Sequence, residues 1–534
     1  MFKINGFNYQ IFSLFFSIIL LNTAFAQQNT ILIIADDVSP DYFGFCNTTT
    51  DTAIVPNIRT LLKKGILFNK VWASPVCSPT RAGLFTGRYS FQTGVGAVIV
   101  NAASAQLDTS EMSIAKLLKY KGATKYNTAN VGKWHLHVAT APKLLFPNKM
   151  GYDYYSGNFN GQLNNYYYYP KVTNGKIDTV KIYATTQTVN DAVKWMDTMN
   201  KTKPFFLWFA FNAPHSPYHL PPDSLLITKG LSGTMADING NPKKYFKAAI
   251  EAMDSEIGRL FKYLKAHNMY DNTNIIFMGD NGNAGSTAQI ANKTKAKQTL
   301  YDYGSRVPML ISGPAVVNPG RQCNALVNTL DLFATMAELG GIANWRNFIP
   351  SGKIAYSKSL MPIIKNTSTA TRSWIFTEQF ENPTVAADGK TIRNVDYHLI
   401  RFESGNELFF NQTKDREENT DLLTTSMTAI DINNYIFLCD SLNTLTGSGS
   451  CKTLNSNATN SKPILTVYPI PAADFVEIET SVPSDQIEIY NMHGKRVYSG
   501  NEQKINICLL TQGLYYIVAH FENYFAVKQL IIQR

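Results

Sequence analysis

Cys77 is the second residue of the stretch VCSPTRAGLFTGR, residues 76–88, where a lone thiol stands two residues before a proline and four before Arg81. Pro79 suits the first turn of a helix, because the N–H it lacks would have no intrahelical partner there. That places Cys77 at a helix N-terminus, where the dipole and the free N–H groups favour negative charge. The residues alone leave two readings open, an activated low-pKa thiolate or a buried structural cysteine. Neither arginine of the stretch suits an apolar core.

Two further places carry ligand chemistry. Asp36 and Asp37 close the apolar run TILIIADD, and Asp280 and Asn281 close NIIFMGDNG. An aspartate after a strand is often a turn or cap residue, but two adjacent pairs at two strand ends make an all-oxygen donor set. Oxygen donors without imidazole or thiolate suit calcium or magnesium over zinc. Calcium is the better choice, since its looser geometry accepts ligands from separate loops.

The elements that must position these groups read as α/β. TILIIADD, PFFLWFAFNAPH and NIIFMGDNG are continuous apolar runs, as strands buried on both faces of a parallel sheet require. Between the last two, Phe246, Ile250, Met253, Ile257, Leu260 and Leu264 keep three-and-four spacing, an amphipathic helix. Ligands of such sheets bind outside the carboxyl ends of the strands. The expected fold is a mixed, largely parallel central sheet flanked by helices, with a smaller α+β subdomain and a small all-β tail domain.

Cys77-Ser78-Pro79-Thr80-Arg81, followed by Phe85-Thr86-Gly87-Arg88, resembles the signature of the type I, formylglycine-dependent sulfatases of the alkaline phosphatase superfamily. IADD at 34–37, GKWHLH at 132–137, APHSP at 213–217, GDNG at 279–282 and KQTLYDYGSRVP at 297–308 resemble further blocks of that family, in the family's order. The resemblance spans roughly residues 29–440. It implies that Cys77 is oxidised to formylglycine by a formylglycine-generating enzyme, and that Asp36, Asp37, Asp280, Asn281 and the modified Cys77 hold Ca2+. Arg81, Lys133, His135, His215 and Lys297 match the cationic and proton-transfer residues around the sulfate. The implied activity is hydrolysis of sulfate esters, of a sulfated carbohydrate or an aryl sulfate, by a formylglycine hydrate. His215, with Lys297, would then protonate the leaving alcohol, and His135 would assist release of sulfate. His137 replaces the usual glycine, VSPDYFGF after Asp37 is not the usual glycine-rich loop, and Asp302-Tyr303-Gly304 stands for the usual acidic-glycine pair. These departures bear on the pocket rim, where His137 and His219 are further candidates, and so on substrate identity. Two other readings stand beside this one: a formylglycine-dependent phosphonate or phosphodiester hydrolase, and a non-catalytic surface glycan-binding protein.

The chain of 534 residues is 45% hydrophobic and 16% charged, a globular composition long enough for two or three domains. Its net charge of +10 is spread without a compact basic block, which argues against a nucleic-acid groove. Residues 1–26 read as a secretory signal peptide ending in Ala24-Phe25-Ala26, and no later run is apolar enough for a transmembrane segment. The catalytic domain is expected over 27–345, its C-terminal subdomain over 346–440, a Ser/Thr/Asn/Gly-rich linker over 441–463 and a β domain over 464–534. YPIPAADFVEI, IEIYNMHGKRV, LTQGLYYIVA and KQLIIQR in that last domain resemble the sorting domain of the type IX secretion machinery, with Ile470 where asparagine is usual. The resemblance implies export through the periplasm to the surface or medium. Of six cysteines, Cys439 and Cys451 flank a short loop and form the favoured disulfide.

Overall fold

A computed structural model describes residues 27–140, 143–381, 383–447, 449–452, 465–480, 483–491, 495–521 and 524–533. The expected signal peptide, most of the linker and the turn of the hairpin expected near 491–494 lie outside the described residues.

The large domain is built on ten strands: β1 (Asn29–Ala35), β2 (Gly65–Trp72), β3 (Asn127–Gly132), β4 (Tyr154–Gly157), β5 (Tyr169–Thr173), β6 (Lys176–Val180), β7 (Phe205–Ala210), β8 (Thr273–Gly279), β9 (Met309–Ser312) and β10 (Arg321–Asn328). They form one sheet in the order β10-β2-β9-β8-β1-β7-β3-β4-β5-β6. The centre, β8-β1-β7-β3-β4, is parallel throughout, while β9 runs antiparallel between β2 and β8. Every residue of β1, β7 and β8 is buried. Alternation then divides each strand between two cores. Leu32, Ile34, Phe206 and Trp208 enter one face, and Ile31, Ile33, Phe205, Leu207 and Phe209 the other. Burial on both faces explains why these strands read as unbroken apolar runs. The helix Pro242–Ala266 lays Phe246, Ile250, Met253, Ile257, Leu260 and Leu264 into the second core.

Four antiparallel strands follow, β11 (Ile375–Gln379), β12 (Gly389–Arg393), β13 (Tyr397–Phe402) and β14 (Glu407–Asn411), in sequential order. The helix Ala429–Thr446 packs on them through Tyr435, Leu438 and Leu442. This helix corrects the expected linker boundary: it runs through residues 441–446, because Leu438, Leu442 and Leu445 continue a three-to-four spacing into an otherwise polar stretch. Cys439 and Cys451 are joined by a disulfide, which ties the segment after the helix back onto it.

The tail has β15 (Leu465–Tyr468), β16 (Phe475–Thr480), β17 (Gln486–Asn491), β18 (Arg496–Gly500), β19 (Lys504–Asn506), β20 (Gly513–Phe521) and β21 (Tyr524–Ile532). They form two antiparallel sheets, β15-β16-β19 and β18-β17-β20-β21, around Val467, Val476, Ile478, Ile487, Ile489 and Ile517. Among the described residues no helix is long and apolar enough to cross a membrane.

Glu378, on β11, is buried beside the start of the short helix Ser90–Thr93 and accepts the Phe91 N–H at 2.7 Å. Burial pushes its carboxyl up to about 7, against the pull of that N–H and of Lys390. The folded chain therefore holds this proton more tightly than the unfolded chain does, so stability falls as pH rises from about 4.5 through 7. Glu378→Gln keeps the acceptor and removes the titration. Urea unfolding should show the variant more stable than wild type at pH 8, by on the order of 3 kcal/mol, and equal to it at pH 4. The same difference at both pH values would show that Glu378 does not titrate in this range.

Candidate active site

Strand register decides which side chains meet. Ala35 pairs with Gly279 across β1 and β8, so Asp36 and Asp280 leave the sheet side by side. Gly132 pairs with Ala210 across β3 and β7, which puts Lys133 on the same edge. The ladder continues one residue beyond the strands, with Asp280 N–H donating to the Ala35 carbonyl at 3.1 Å and Lys133 N–H to Ala210 at 2.9 Å. Gly132 has φ +97°, and a Cβ there would lie 1.8 Å from the Ala210 carbonyl oxygen, so only glycine permits this approach.

The signature stretch forms the helix Cys77–Thr86, entirely buried, with Cys77 as its first residue and Gly87 closing it at φ 70°. Arg81, one turn on, points back along the sheet edge. It donates Nη2 to Asp280 Oδ2 at 2.7 Å, Nε to the same oxygen at 3.2 Å, and Nη1 to the Lys133 carbonyl at 3.0 Å. Lys133 Nζ donates to both oxygens of Asp36, at 2.8 and 2.6 Å. Lys297 Nζ is 2.6 Å from Asp37 Oδ1 and 2.7 Å from Oδ2. Each carboxylate therefore meets a cation from another element, and Arg81, Lys133, Asp36 and Asp280 are fully buried.

The residues expected to hold the metal or to take part in catalysis gather here. Cys77 Sγ lies 3.1 Å from His135 Nδ1, and His135 Nε2 is 3.1 Å from the Ile99 carbonyl. His215 Nδ1 is 2.8 Å from the Ser216 carbonyl, while its Nε2 is 3.4 Å from both Lys297 Nζ and Asp37 Oδ2. Asn281 donates Nδ2 to Asp37 Oδ1 at 2.7 Å and to the Gly282 carbonyl at 2.9 Å.

Burial, followed by the repulsion of Asp280 and Asp37, holds the Asp36 carboxyl well above the ordinary range despite Lys133. Asp37 is buried too, but His215, Lys297 and Lys133 overcome that cost and lower it. Burial first, then Lys133 and Arg81, keeps His135 well below the usual imidazole range. Burial also brings His215 down to about 4. For Cys77, burial raises the thiol, reinforced by Asp36 and Asp280 and only partly opposed by Lys133 and Lys297. Burial thus works against an activated thiolate at this position.

One ligand-type atom is left over. Asn281 Oδ1 is buried without a hydrogen-bond partner among the described residues. Oxygens of Asp36 and Asp280 lie with Cys77 Sγ within 4.8 Å of one another, and oxygens of Asp36 and Asp37 gather likewise with a His215 nitrogen. Three carboxylates and an orphaned amide oxygen fit a hard divalent cation.

The two rim candidates are held in aromatic contacts. His137 is fixed by the Leu107 carbonyl at 2.6 Å and by Trp134 Nε1 at 3.1 Å, stacked on that indole. His219 is stacked on Tyr166 and bonded to Tyr183 Oη and the Pro217 carbonyl. Asp302 accepts from Trp72 and Arg393. Supporting residues went unread in the sequence. Tyr166 Oη lies 2.6 and 2.7 Å from the carbonyls of Asn212 and His215, fixing the loop that carries His215. Gly161 is pressed on the His135 ring, where a Cβ would be 2.5 Å from Cε1. Only the tyrosine-rich run at 166–169 marks the first, and nothing marks the second.

Residues 28–342 match the model of the sulfatase family, 294–435 that of the N-sulphoglucosamine sulphohydrolase C-terminal region, and 466–533 that of the secretion system C-terminal sorting domain. The chain is 27% identical to an ulvan-active sulfatase of Formosa agariphila over 420 residues, covering 74% of this chain and 77% of that protein. It is 28% identical to arylsulfatase J of Mus musculus over 330 residues, 59% of this chain but only about half, 52%, of that relative's length. The crystal structure of Ps i-CgsB with k-i-k-neocarrahexaose superposes at a TM-score of 0.65 with 27% identity, over 79% of this chain and 92% of that one. With more than half of its length matched by one family model, the chain belongs to the sulfatase family.

Proposed function

We propose that this chain is an exported sulfatase that hydrolyses sulfate esters of carbohydrates, with Cys77 as the precursor of its formylglycine and Ca2+ as its metal. One observation carries the reading: Cys77 opens a buried helix against three carboxylates, an orphaned amide oxygen and two neutral imidazoles, with Arg81, Lys133 and Lys297 around them. The ulvan-active relative and the fold neighbour solved with a carrahexaose support a sulfated glycan as substrate. The sorting-domain match supports delivery by type IX secretion to the surface or medium, where such polymers are met.

Asp36, Asp37, Asp280 and Asn281 would hold the cation. The oxidised Cys77 supplies a hydrated aldehyde as nucleophile toward sulfur, and the cation supplies neutralisation of negative charge beside it. The protein's own groups do the rest. Lys133 and Lys297 place positive charge where the sulfuryl oxygens must sit. With His135 Nε2–H donating to the Ile99 carbonyl, Nδ1 is left as an acceptor 3.1 Å from the residue-77 side chain. Its depressed pKa keeps it neutral and able to take a proton from that position. His215 likewise donates Nδ1–H to the Ser216 carbonyl and turns Nε2 to Lys297 Nζ. This pair delivers the proton to the departing alcohol oxygen. An anionic sulfate entering the site raises the His215 pKa from its free value and readies it for that task.

Mass spectrometry of the tryptic peptide Val71–Arg81 from active enzyme should find an aldehyde in place of the Cys77 thiol; free or disulfide-bonded cysteine throughout would overturn the precursor role. Ca2+ should raise the melting temperature of chelator-stripped protein by several degrees. Asn281→Ala, which deletes the orphaned oxygen, should lose most of that shift, and an unchanged shift removes Asn281 from the metal site. His215→Ala should cost on the order of 10²–10⁴-fold in kcat/KM on sulfated oligosaccharides and clearly less on an aryl sulfate, whose leaving group needs little protonation. Equal losses on both would assign the proton delivery to another group.

A further inference from the structure

The connection between β8 and β9 does more than carry Asp280, Asn281 and Lys297. Because β9 returns antiparallel to β8, this connection stays on the sheet edge that holds the reactive centre. There it borders a second cavity of about 100 Å3, which the chemistry above does not use. Lys295, Tyr303 and Arg306 come from that connection, Asp41, Thr48 and Thr49 from the loop after β1, and Arg416 from the loop after β14. Reactive centre and cavity thus share two loops.

Two donor atoms on the cavity wall lack hydrogen-bond partners among the described residues, beside four carboxylates, those of Asp41, Asp302, Glu417 and Glu418. Arg306, with its side chain only 11% exposed, has Nε 3.0 Å from Asp302 Oδ2 and Nη2 3.8 Å from Asp41 Oδ1. These are ion-pair distances without hydrogen-bond geometry, and Nε is buried and unpartnered among the described residues. Thr48 Oγ1 is buried and unpartnered in the same way. Arg416, at the exposed side, has no hydrogen-bond or ion-pair partner among the described residues. Its guanidinium is held below its ordinary pKa first by the neighbouring charge of Arg306 and then by burial, so two like charges face one space.

The acceptors nearby are already engaged. Asp302 Oδ1 takes the Trp72 indole N–H at 2.7 Å and Arg393 Nη1 at 2.8 Å. Glu418 Oε2 takes the Asp302 N–H at 3.0 Å, and its Oε1 is held by His398 and Gln412. Lys295 donates to the carbonyls of Glu417 and Glu418 at 2.8 and 2.6 Å and to Asn419 Oδ1 at 3.1 Å, neutral groups that leave its charge uncancelled. Asp302 Oδ2 and Asp41, both at ion-pair distance from Arg306, and the exposed Glu417 carboxylate are left to balance it. A planar guanidinium fork facing a hydroxyl and a second guanidinium is a recognition geometry for sulfate or phosphate oxygens.

We propose that this cavity is an oxyanion site, in which Arg306, Arg416 and the Thr48 hydroxyl take a second sulfate group of a sulfated glycan or the free sulfate ion. The choice of sulfate rests on the proposed activity, whereas the site rests on the unpaired donors. Occupied by a substrate's second sulfate, it fixes the register of the polymer relative to Cys77. The site thereby favours multiply sulfated chains.

Arg416→Gln tests this without disturbing the core, since the side chain is exposed. Calorimetric titration with sodium sulfate, against sodium chloride at matched ionic strength, should show sulfate binding in wild type and at least about tenfold weaker binding in the variant, the loss of one charge-assisted contact. Competitive inhibition of aryl sulfate hydrolysis by sulfate reports the reactive centre and should be unchanged. On a disulfated oligosaccharide the variant's KM should rise several-fold while aryl sulfate kcat/KM stays the same, which identifies the second sulfate as the ligand. Weaker sulfate binding with an unchanged KM identifies the free ion instead. Equal titrations in wild type, Arg416→Gln and Thr48→Val, or chloride matching sulfate, would overturn the site. If no sulfate ester is hydrolysed at all, the activity reading fails, and the calorimetry still decides the cavity.

Discussion

Everything at the reactive edge depends on compensating the carboxyl groups of Asp36, Asp37 and Asp280 in a place where water does not reach them. Isolated buried carboxylates would cost several kcal/mol each and would protonate instead. Here Lys133, Lys297 and Arg81 each answer one of them, and each comes from a different element: the end of β3, the β8–β9 connection and the signature helix. The compensation is incomplete, since Asp36 is still held well above the carboxylate range by burial and by its neighbours. A site so arranged is poised for one more positive charge. The unpartnered Asn281 oxygen marks the direction from which a ligand atom is still missing a partner.

That electrostatic demand explains the backbone around it. Asp37, His135 and Gln298 take φ values of 64°, 55° and 71°, in the left-handed region that costs a residue with a Cβ of order 1 kcal/mol. All three lie at the points where the chain must turn a functional side chain inward: Asp37 after β1, His135 beside Cys77, and Gln298 next to Lys297. The surrounding contacts hold them there. Asp37 N–H donates to Asp280 Oδ1 at 3.0 Å, His135 N–H to the Phe159 carbonyl at 3.1 Å, and Gln298 N–H to the Pro75 carbonyl at 3.1 Å. The last of these links Lys297 to the turn before Cys77, so the signature helix and the lysine loop are fixed as a unit.

The parts of the fold legible in the sequence were those where one physical signal dominated. Strands buried on both faces show unbroken apolar runs, and the helix Pro242–Ala266 shows its stripe, so both could be read before any register was known. Residue type and family pattern likewise pointed to Asp36, Asp37, Cys77, Arg81, Lys133, His135, His215, Lys297, Asp280 and Asn281, and the sheet brings all of them to one edge. What could not be read was direction. His137 and His219 sit beside functional blocks in sequence, yet each is drawn into an aromatic stack by Trp134 or Tyr166, and sequence adjacency carries no information about rotamer. The linker expected from residue 441 begins after the helix Ala429–Thr446 because polar composition hid Leu442 and Leu445, whose spacing is helical but sparse. Gly161 was invisible because its role is only to be small where the His135 ring needs room.

The contact between the sheet domain and the four-stranded subdomain follows the same logic of shared acceptors. Asp302, with Tyr303 and Gly304, stands for the usual acidic-glycine pair, and here it joins Trp72 of β2, Arg393 of β12 and Arg306 at ion-pair distance. Glu418 joins Asp302 to His398 of β13. This buried network draws the subdomain against the end of the β8–β9 connection, a few residues after Lys297. Any change in how the subdomain sits is therefore felt at the lysine that holds Asp37. The network reaches the reactive centre by two further routes, since Asp41 follows Asp37 in the loop after β1 and Trp72 ends the strand that leads to Cys77.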